Sequence, residues 1–158
     1  MKMKSGVEQA ICILAMLATQ VNQDPIKSFV LSERLKVSDS FLKKIVRRLV
    51  VAGLVESSAS KEGGFSLAKS PSEITMLDIF EAIEGKQSAI QPLHLAEHVF
   101  FANDSVITKE NEVLNIFYEA ERLFKDKLNQ FSLTDVLTSH DYEKKMFDWK
   151  NIMSELGQ

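Results

Sequence analysis

A run of polar and basic side chains between residues 38 and 48 has the composition of a helix that contacts DNA. Lys43, Lys44, Arg47 and Arg48 occupy one side of the predicted helix, opposite an apolar stripe. An α-helix fits the major groove of duplex DNA, and its N-terminal side chains meet base edges. Lysine and arginine donate hydrogen bonds to guanine or neutralise phosphates. An isolated basic helix is more often a solvated face, so the neighbouring elements must decide between the two interpretations.

Two further patterns could bind metal or react. His94, Glu97 and His98 match the H-x-x-E-H pattern of zinc peptidases, but no third ligand or substrate cleft is evident. We therefore expect two solvated histidines, with regulatory metal binding and a pH switch as the alternatives. Cys12 lies in an apolar run, so we expect a buried, unreactive side chain rather than a sensor. The chain carries no phosphate loop and no nucleophile elbow, which argues against an enzyme.

The elements around the basic run are short and close together. Apolar periodicity predicts helices over residues 6–21, 28–36 and 39–52, with Ser28 as a cap of the second helix and Ser38 or Asp39 as a cap of the third. Gly53 should end the third helix. Residues 54–57 and 65–68 are predicted strands around a polar turn with two glycines, and a helix follows from Thr75 to Gly85. This order predicts a winged helix-turn-helix, which favours DNA contact over a solvated face.

The second half of the chain is predicted to be helical and suited to self-association. Residues 86–107 lack a clean period and are interpreted as a connector. From Thr108 a heptad-like apolar stripe begins, too wide for a small domain to cover, which predicts a dimer. The predicted dimerisation residues are Val113, Phe117, Ala120, Phe124 and Phe131. A similar spacing recurs in the tail at Tyr142, Met146, Trp149, Met153 and Leu156.

Charge is divided between the two halves. The 158 residues carry a net charge of −3, but residues 1–69 hold 11 basic and 6 acidic side chains, whereas residues 70–158 hold 8 basic and 16 acidic ones. The basic half contains the predicted DNA-binding elements. The acidic side chains of the second half are interpreted as solvated helix faces. The longest apolar run, residues 11–18, is too short to cross a bilayer and lacks a cleavage site after it, so we expect no membrane partner and a cytoplasmic protein.

Residues 27–85 resemble the Rrf-two family of bacterial winged-helix regulators, the family of IscR, NsrR and CymR. The resemblance depends on the order and spacing of several short pieces. These pieces are Val37-Ser38, Phe41-Leu42, Leu49, Ala52-Gly53-Leu54-Val55, Gly63-Gly64-Phe65, Leu67-Ala68, Ile74-Thr75-Met76-Leu77-Asp78 and Glu81-Ala82-Ile83-Glu84-Gly85. The resemblance implies a homodimer, with the third helix in the major groove and the wing near the minor groove or the backbone.

The chain departs from this family in three places. Members that sense iron, nitric oxide or redox state carry three cysteines between the wing domain and the long helix, but residues 86–112 contain none. An iron–sulfur cluster is therefore not expected. The wing has Ala59-Ser60-Lys61 where many members have an Arg-Gly pair, so wing contacts should be weaker or depend on Lys61. Lys43-Lys44 replaces a common Glu/Gln pair, which predicts a different operator.

Together these observations predict a mainly α fold with a small β-wing. The predicted regions are a winged helix-turn-helix domain over 1–85, a connector over 86–107 and a helical dimerisation region over 108–158. We expect a homodimeric repressor of near-palindromic operators, without a cofactor or metal. A small molecule or a partner protein would supply the signal. The alternative is a winged-helix module that binds another protein. The predicted DNA contacts are Lys27, Ser28, Ser38, Asp39, Ser40, Phe41, Lys43, Lys44, Arg47 and Lys61.

Overall fold

A computed structural model describes residues 3–60, 63–101, 103–137 and 147–156, the last four without their side chains. Eight helices and one hairpin make up the described part of the chain. The helices are α1 (Ser5–Thr19), α2 (Ser28–Leu35), α3 (Asp39–Val51), α4 (Met76–Glu84), α5 (Ala96–Phe100), α6 (Asp104–Asn129), α7 (Leu133–Leu137) and α8 (Trp149–Leu156). The strands are β1 (Val55–Ser57) and β2 (Phe65–Leu67), and short 3-10 turns span Val21–Gln23 and Pro71–Glu73. The predicted fold class, mainly helical with a β-wing, is confirmed.

One core joins the first four helices and the hairpin. Its buried apolar residues recur at helical spacing on α1, α3 and α4, so each helix has one face against the others. These core residues include Val7, Ala10, Ile13, Leu14, Leu17, Ile26, Val30, Leu31, Leu42, Ile45, Val46, Leu49, Leu54, Ile74, Ile79, Ile83 and Leu133. Leu133 follows the long α6 helix and is fully buried. The chain therefore returns to the first domain after α6.

Backbone hydrogen bonds fix that return. The Met76 N–H donates to the Phe131 carbonyl at 2.8 Å, and the Leu133 N–H donates to the Ile74 carbonyl at 2.7 Å. In addition, Phe80 of α4 packs edge-on against Phe124 of α6, with ring centroids 5.2 Å apart. The long helix is thus attached to α4 along its C-terminal half.

Local capping explains where the helices begin and end. The Ser38 hydroxyl accepts a hydrogen bond from the Phe41 N–H, as predicted, and Gly53 has a φ of +71° at the end of α3. Thr75 and Asp78 form a reciprocal capping box at α4. Ser28 is not the cap of α2, since Lys27 occupies that position without a side-chain bond. The helix starts at Ser28 itself because the Lys27 carbonyl accepts from Val30.

Two further expectations need correction. Cys12 is exposed rather than buried, because its side of α1 faces away from the core that holds Ile13 and Leu14. The long helix begins at Asp104, four residues before the apolar pattern sharpens, because the Asn103 side chain caps it by accepting from the Val106 N–H. Within the described residues, no helix combines the length and the apolar character needed to cross a membrane.

Candidate nucleic-acid interface

Helix α3 presents a cationic face to solvent. Leu42, Ile45, Val46 and Leu49 are buried in the core, which turns the intervening positions outward. The predicted contact residues Ser40, Lys43, Lys44 and Arg47 are exposed on that outer face. Ser38 and Phe41 are exposed at the N-terminal end, where Phe41 has 39% of its surface accessible. Side chains there can meet base edges once the helix enters a major groove.

An ion pair limits one of these cations. Lys43 Nζ lies 2.6 Å from a carboxylate oxygen of Asp39, one turn earlier. The hydrogen bond from Lys43, with a second from Ser28, lowers the pKa of Asp39. Asp39 is therefore ionised at neutral pH and offsets part of the positive charge of α3. The Ser28 contact also brings the start of α2 beside the start of α3.

Arg48 has a different role from its basic neighbours. Its guanidinium donates to the Ile83 carbonyl at 2.7 Å, which joins α3 to α4. The spacing of the basic residues alone did not distinguish Arg48 from Arg47, because each is adjacent in sequence to one buried residue of α3. An open groove of about 570 Å³ lies beside it between α3 and α4. Its lining includes Lys44, Arg47, Arg48, Asp78, Glu81 and Lys86.

The wing is attached to the start of α2. Ile26 and Phe65 exchange two backbone hydrogen bonds of 2.9 Å, which adds the segment before α2 to the β1–β2 hairpin. Gly64 approaches so closely that a Cβ there would lie 2.5 Å from the Ile26 carbonyl oxygen. This contact places the half-buried Lys27 and Ser28 next to the base of the wing. The sequence signal was the Gly63-Gly64 pair, but the strand partner Ile26 was missed. Lys61 lies outside the described residues.

A second group of polar contacts orders residues 88–96, in the segment between α4 and α6. Glu121 accepts from the Ala89 N–H and the Ser88 hydroxyl, both at 2.7 Å. The bond from Ala89, followed by the bond from Ser88, lowers the pKa of Glu121. Glu110 accepts from the Ala96 N–H at 3.2 Å and lies 2.9 Å from His94 Nδ1. The hydrogen bond from His94 is the main cause of the lowered pKa of Glu110.

These contacts correct two interpretations of the acidic half. Glu110 and Glu121 are not merely solvated, because they hold backbone and side-chain donors of the preceding segment. His94 is not a free, solvated histidine, since its ring pairs with Glu110. Sequence spacing could not reveal pairs that are 16 and 32 residues apart.

The predicted dimerisation residues differ in how far the same chain covers them, and Phe131 lies just beyond the end of α6. Val113 and Phe117 are each 54% exposed, Phe131 is 45% exposed and Ala120 is also exposed. Phe124 instead packs on Phe80 of the same chain. Ile116 and Leu123, at 66% and 60% exposed, continue the outward stripe. Of the tail positions, Trp149 packs against the core of its own chain, and Tyr142 and Met146 lie outside the described residues.

Comparison with known proteins identifies the group to which this architecture belongs. Residues 3–139 match the model of the Rrf2 family, described as "Iron-dependent Transcriptional regulator". The chain is 38% identical over 149 residues to the HTH-type transcriptional regulator YwgB of Bacillus subtilis, with 94% of each chain covered. It is 37% identical over 142 residues to the HTH-type transcriptional regulator YffB of Lactococcus lactis, with 90% of each covered. The family and these relatives are transcriptional regulators and not enzymes.

Solved structures agree on the fold. The global cysteine regulator CymR of B. subtilis superposes with a TM-score of 0.61 at 23% identity, covering 86% of this chain and 95% of its own. A transcriptional regulator from Listeria innocua gives a TM-score of 0.64 at 24% identity, covering 89% and 88%.

The iron chemistry in the family description does not fit the donor set of this chain. Iron–sulfur clusters are held mainly by several cysteine thiolates, whereas the sequence has only Cys12, which lies on α1. The segment between α4 and α6 contains no cysteine, and its backbone N–H groups at Ala89 and Ala96 donate hydrogen bonds to the carboxylates of Glu121 and Glu110. Across the described ranges, no three His, Cys, Asp or Glu side chains are grouped to hold a metal. The winged helix-turn-helix, its cationic α3 face and the match over nearly the whole chain show that the protein belongs to the Rrf2 family and is a DNA-binding transcriptional regulator.

Proposed function

We propose that the chain acts as a homodimeric repressor that binds a near-palindromic operator through α3. The cationic outer face of α3 carries this proposal, because Lys44 and Arg47 are exposed there. In a two-fold dimer, two such helices would enter major grooves about one helical turn, or about 34 Å, apart. A dimer bound across a promoter represses by excluding other proteins from the same DNA.

The contacts divide into base-reading and backbone-positioning groups in this proposal. Ser40, Lys43, Lys44 and Arg47 face the groove, with Ser38, Asp39 and Phe41 at the entering end of α3. Lys27 and Ser28 contact phosphates beside the wing, as does Lys61. Backbone contacts fix the register of a protein on DNA and base contacts give specificity.

The outward stripe of α6 supplies the dimer interface in this proposal. Val113, Ile116, Phe117 and Leu123 are each more than half exposed. Neighbouring apolar side chains that are exposed together on a monomer indicate an interaction surface. The excess of acidic residues in the second half would lie on the side away from the DNA. Signal input would come from a small molecule or a protein, because the chain lacks the thiolates for a cluster.

The test begins with selection of binding sites from a random duplex library by the full-length protein. Fluorescence anisotropy on the selected duplex then compares Arg47→Ala with Arg122→Ala, which removes the same charge from an exposed position on α6. We expect Arg47→Ala to weaken binding about tenfold or more, since a good arginine–guanine pair is worth about 1–3 kcal/mol. The triple variant Lys43→Ala, Lys44→Ala, Arg47→Ala should also flatten the dependence on salt.

Three results would contradict the proposal. The selection could enrich no sequence, the selected sites could lack two-fold symmetry, or Arg47→Ala and Arg122→Ala could behave alike. Weak binding without an enriched site would favour the alternative, a module that binds another protein.

A further inference from the structure

The corner between α1 and α2 holds a segment from the far end of the chain. The Phe147 N–H donates to the Thr19 carbonyl at 2.8 Å, and the Val21 N–H donates to the Phe147 carbonyl at 2.9 Å. These bonds add the segment to the end of α1 as a short parallel bridge. Residues 147–156 follow the part of the chain that matches the Rrf2 family model, which ends at 139. The docked segment therefore lies beyond the part of the chain that the family model covers.

Two polar side chains of the corner accept hydrogen bonds from Trp149. Gln20 is only 1% exposed, and its Oε1 atom accepts from the Trp149 N–H at 3.1 Å. Thr19 is 7% exposed, and its hydroxyl accepts from the indole N–H at 3.3 Å. With the segment in place, both acceptors are buried and each has a donor from Trp149, so docking leaves neither of these polar atoms without a partner.

Aromatic and cationic contacts complete the site. The rings of Phe147 and Trp149 stack with their centroids 4.8 Å apart. The guanidinium carbon of Arg34, in the last turn of α2, lies 5.4 Å from the centroid of the indole ring. Stacking and cation–π attraction select two aromatic residues spaced by one position. An extended peptide with a phenylalanine, one intervening residue and a tryptophan has this chemistry.

The docking site and the DNA-binding surface share one rigid element. Arg34 lies at the end of α2, four positions before Ser38, which caps α3. Lys27 and Ser28 lie at the other end of the same helix, beside the wing. Contacts at Arg34 therefore act on the same helix that packs against α3 and carries two proposed phosphate contacts.

We propose that the α1–α2 corner is a binding site for an aromatic–x–aromatic peptide segment, that residues 147–149 are its resident occupant, and that occupancy raises operator affinity by fixing α2. The part about operator affinity depends on the proposed function, whereas the docking site does not. A docked segment reduces the motion of α2 before DNA binds, so less order must be gained on binding. Coupling is reciprocal, so DNA must also hold the segment in place.

Trp149 is the only tryptophan of the chain, so its fluorescence reports docking directly. The first measurement is acrylamide quenching of the full-length protein. We expect Phe147→Ala and Arg34→Gln to increase quenching about twofold or more toward the value of the free peptide, since each removes a contact with the ring. Glu33→Gln is the matched control, because Glu33 is the exposed neighbour of Arg34 on the same turn of α2. Quenching equal to the free peptide in the unmodified chain would overturn the docking site.

Full-length Trp149→Ala allows a test of rescue. This variant has no tryptophan, so a peptide of residues 147–156 carries the only one in the mixture. The peptide should bind at about millimolar concentration, the range in which a tethered segment acts, by displacing the weakened segment that keeps Phe147 but lacks the indole ring. A peptide with alanine in place of Phe147 is the control. No binding above the control peptide would overturn the site.

Operator affinity is measured on the same proteins with the selected duplex. We expect Phe147→Ala and Arg34→Gln to bind about five- to tenfold more weakly, a usual size for coupling between two sites. Saturating peptide should restore the affinity of Trp149→Ala, and the duplex should reduce quenching of the unmodified chain. Exposed Trp149 with unchanged operator affinity would overturn the coupling. If the unmodified chain binds no specific duplex, the proposed function and the coupling both fail, while the quenching and peptide experiments still decide the docking site.

Discussion

The Lys43 ammonium lies 2.6 Å from the Asp39 carboxylate on the first turns of α3. Lys43 is one of three exposed basic residues of α3, with Lys44 and Arg47, that face DNA in the proposed function. A carboxylate in this position repels phosphate and restrains Lys43 at the same time. Because the hydrogen bond from Lys43 lowers the pKa of Asp39, the carboxylate stays charged at neutral pH. The ion pair should therefore reduce binding to the phosphates of random DNA more than binding to a specific site.

We predict that Asp39→Asn increases affinity for a random-sequence duplex. The expected gain is about fivefold, since a unit charge at about 4 Å in water is worth about 1 kcal/mol. The salt dependence should also become steeper, because Lys43 is free to contact a phosphate. Anisotropy titrations at several salt concentrations measure both quantities. Glu119→Gln on α6 controls for the change in net charge, and unchanged or weaker binding of the Asp39 variant would contradict the role of the pair.

The close approach of the wing to α2 gives a second prediction. A Cβ at residue 64 would lie 2.5 Å from the Ile26 oxygen and 3.0 Å from the Lys27 nitrogen, both backbone atoms. Gly64→Ala should reduce the free energy of unfolding by about 1–3 kcal/mol, because the backbone must shift to accept the methyl group. Chemical denaturation measures this change. Ser60→Ala, in the exposed turn of the same hairpin, should leave stability unchanged. Equal stability of both variants would contradict the prediction, because it would mean that the backbone accommodates a methyl group at residue 64 without cost.

The α4–α6 segment depends on Glu121 in a way that pH can test. The lowered pKa of Glu121 means that the folded state favours the carboxylate. Its stabilisation is present above the ordinary glutamate pKa of about 4.3 and is lost as pH falls through the lowered value. We predict that the Ala89 amide exchanges slowly with solvent near neutral pH and is exposed only in strong acid. Glu121→Gln should accelerate exchange at Ala89 at all pH values, whereas Glu119→Gln should not, as nuclear magnetic resonance can measure. Equal exchange in the two variants would refute the role of Glu121.

The sequence predicted the parts of the fold that depend on local pattern. Apolar periodicity gave α1 to α4, and capping chemistry gave Ser38 and the Thr75–Asp78 box, because these features involve residues within one turn. The pairs that position the interface could not be predicted in this way. Ile26 with Phe65, Glu121 with Ala89, and Gln20 with Trp149 are distant in sequence and depend on tertiary packing. Cys12 was predicted wrongly because an apolar run of residues does not show which side of a helix faces the core.

The outward stripe of α6 gives the last prediction. Phe117 is 54% exposed, whereas Phe124, one heptad later, packs on Phe80 of the same chain. We predict that Phe117→Glu converts a dimer to monomers without loss of the fold, because a buried, unpaired charge would occur twice in a two-fold interface. The dissociation constant should rise about 30-fold or more, in the range of an interface hot spot of at least about 2 kcal/mol. Sedimentation equilibrium measures the constant, and circular dichroism checks the fold.

Asn115→Glu is the matched control for this prediction. It introduces the same charge at an exposed position on a different side of α6, so it should leave the dissociation constant unchanged. Phe124→Ala should mainly lower the stability of the fold, whereas Phe117→Glu should mainly weaken dimerisation. Phe124→Ala should reduce the free energy of unfolding by up to about 3–5 kcal/mol, because it removes the partly buried Phe124 ring that packs on Phe80. Its effect on the dissociation constant should be smaller than that of Phe117→Glu. If both phenylalanine variants changed only stability, the outward stripe would not be the dimer interface. If Asn115→Glu dissociated the protein as well, the interface would have to extend beyond the stripe, because a charge at 115 could act only on a surface that the partner subunit also covers.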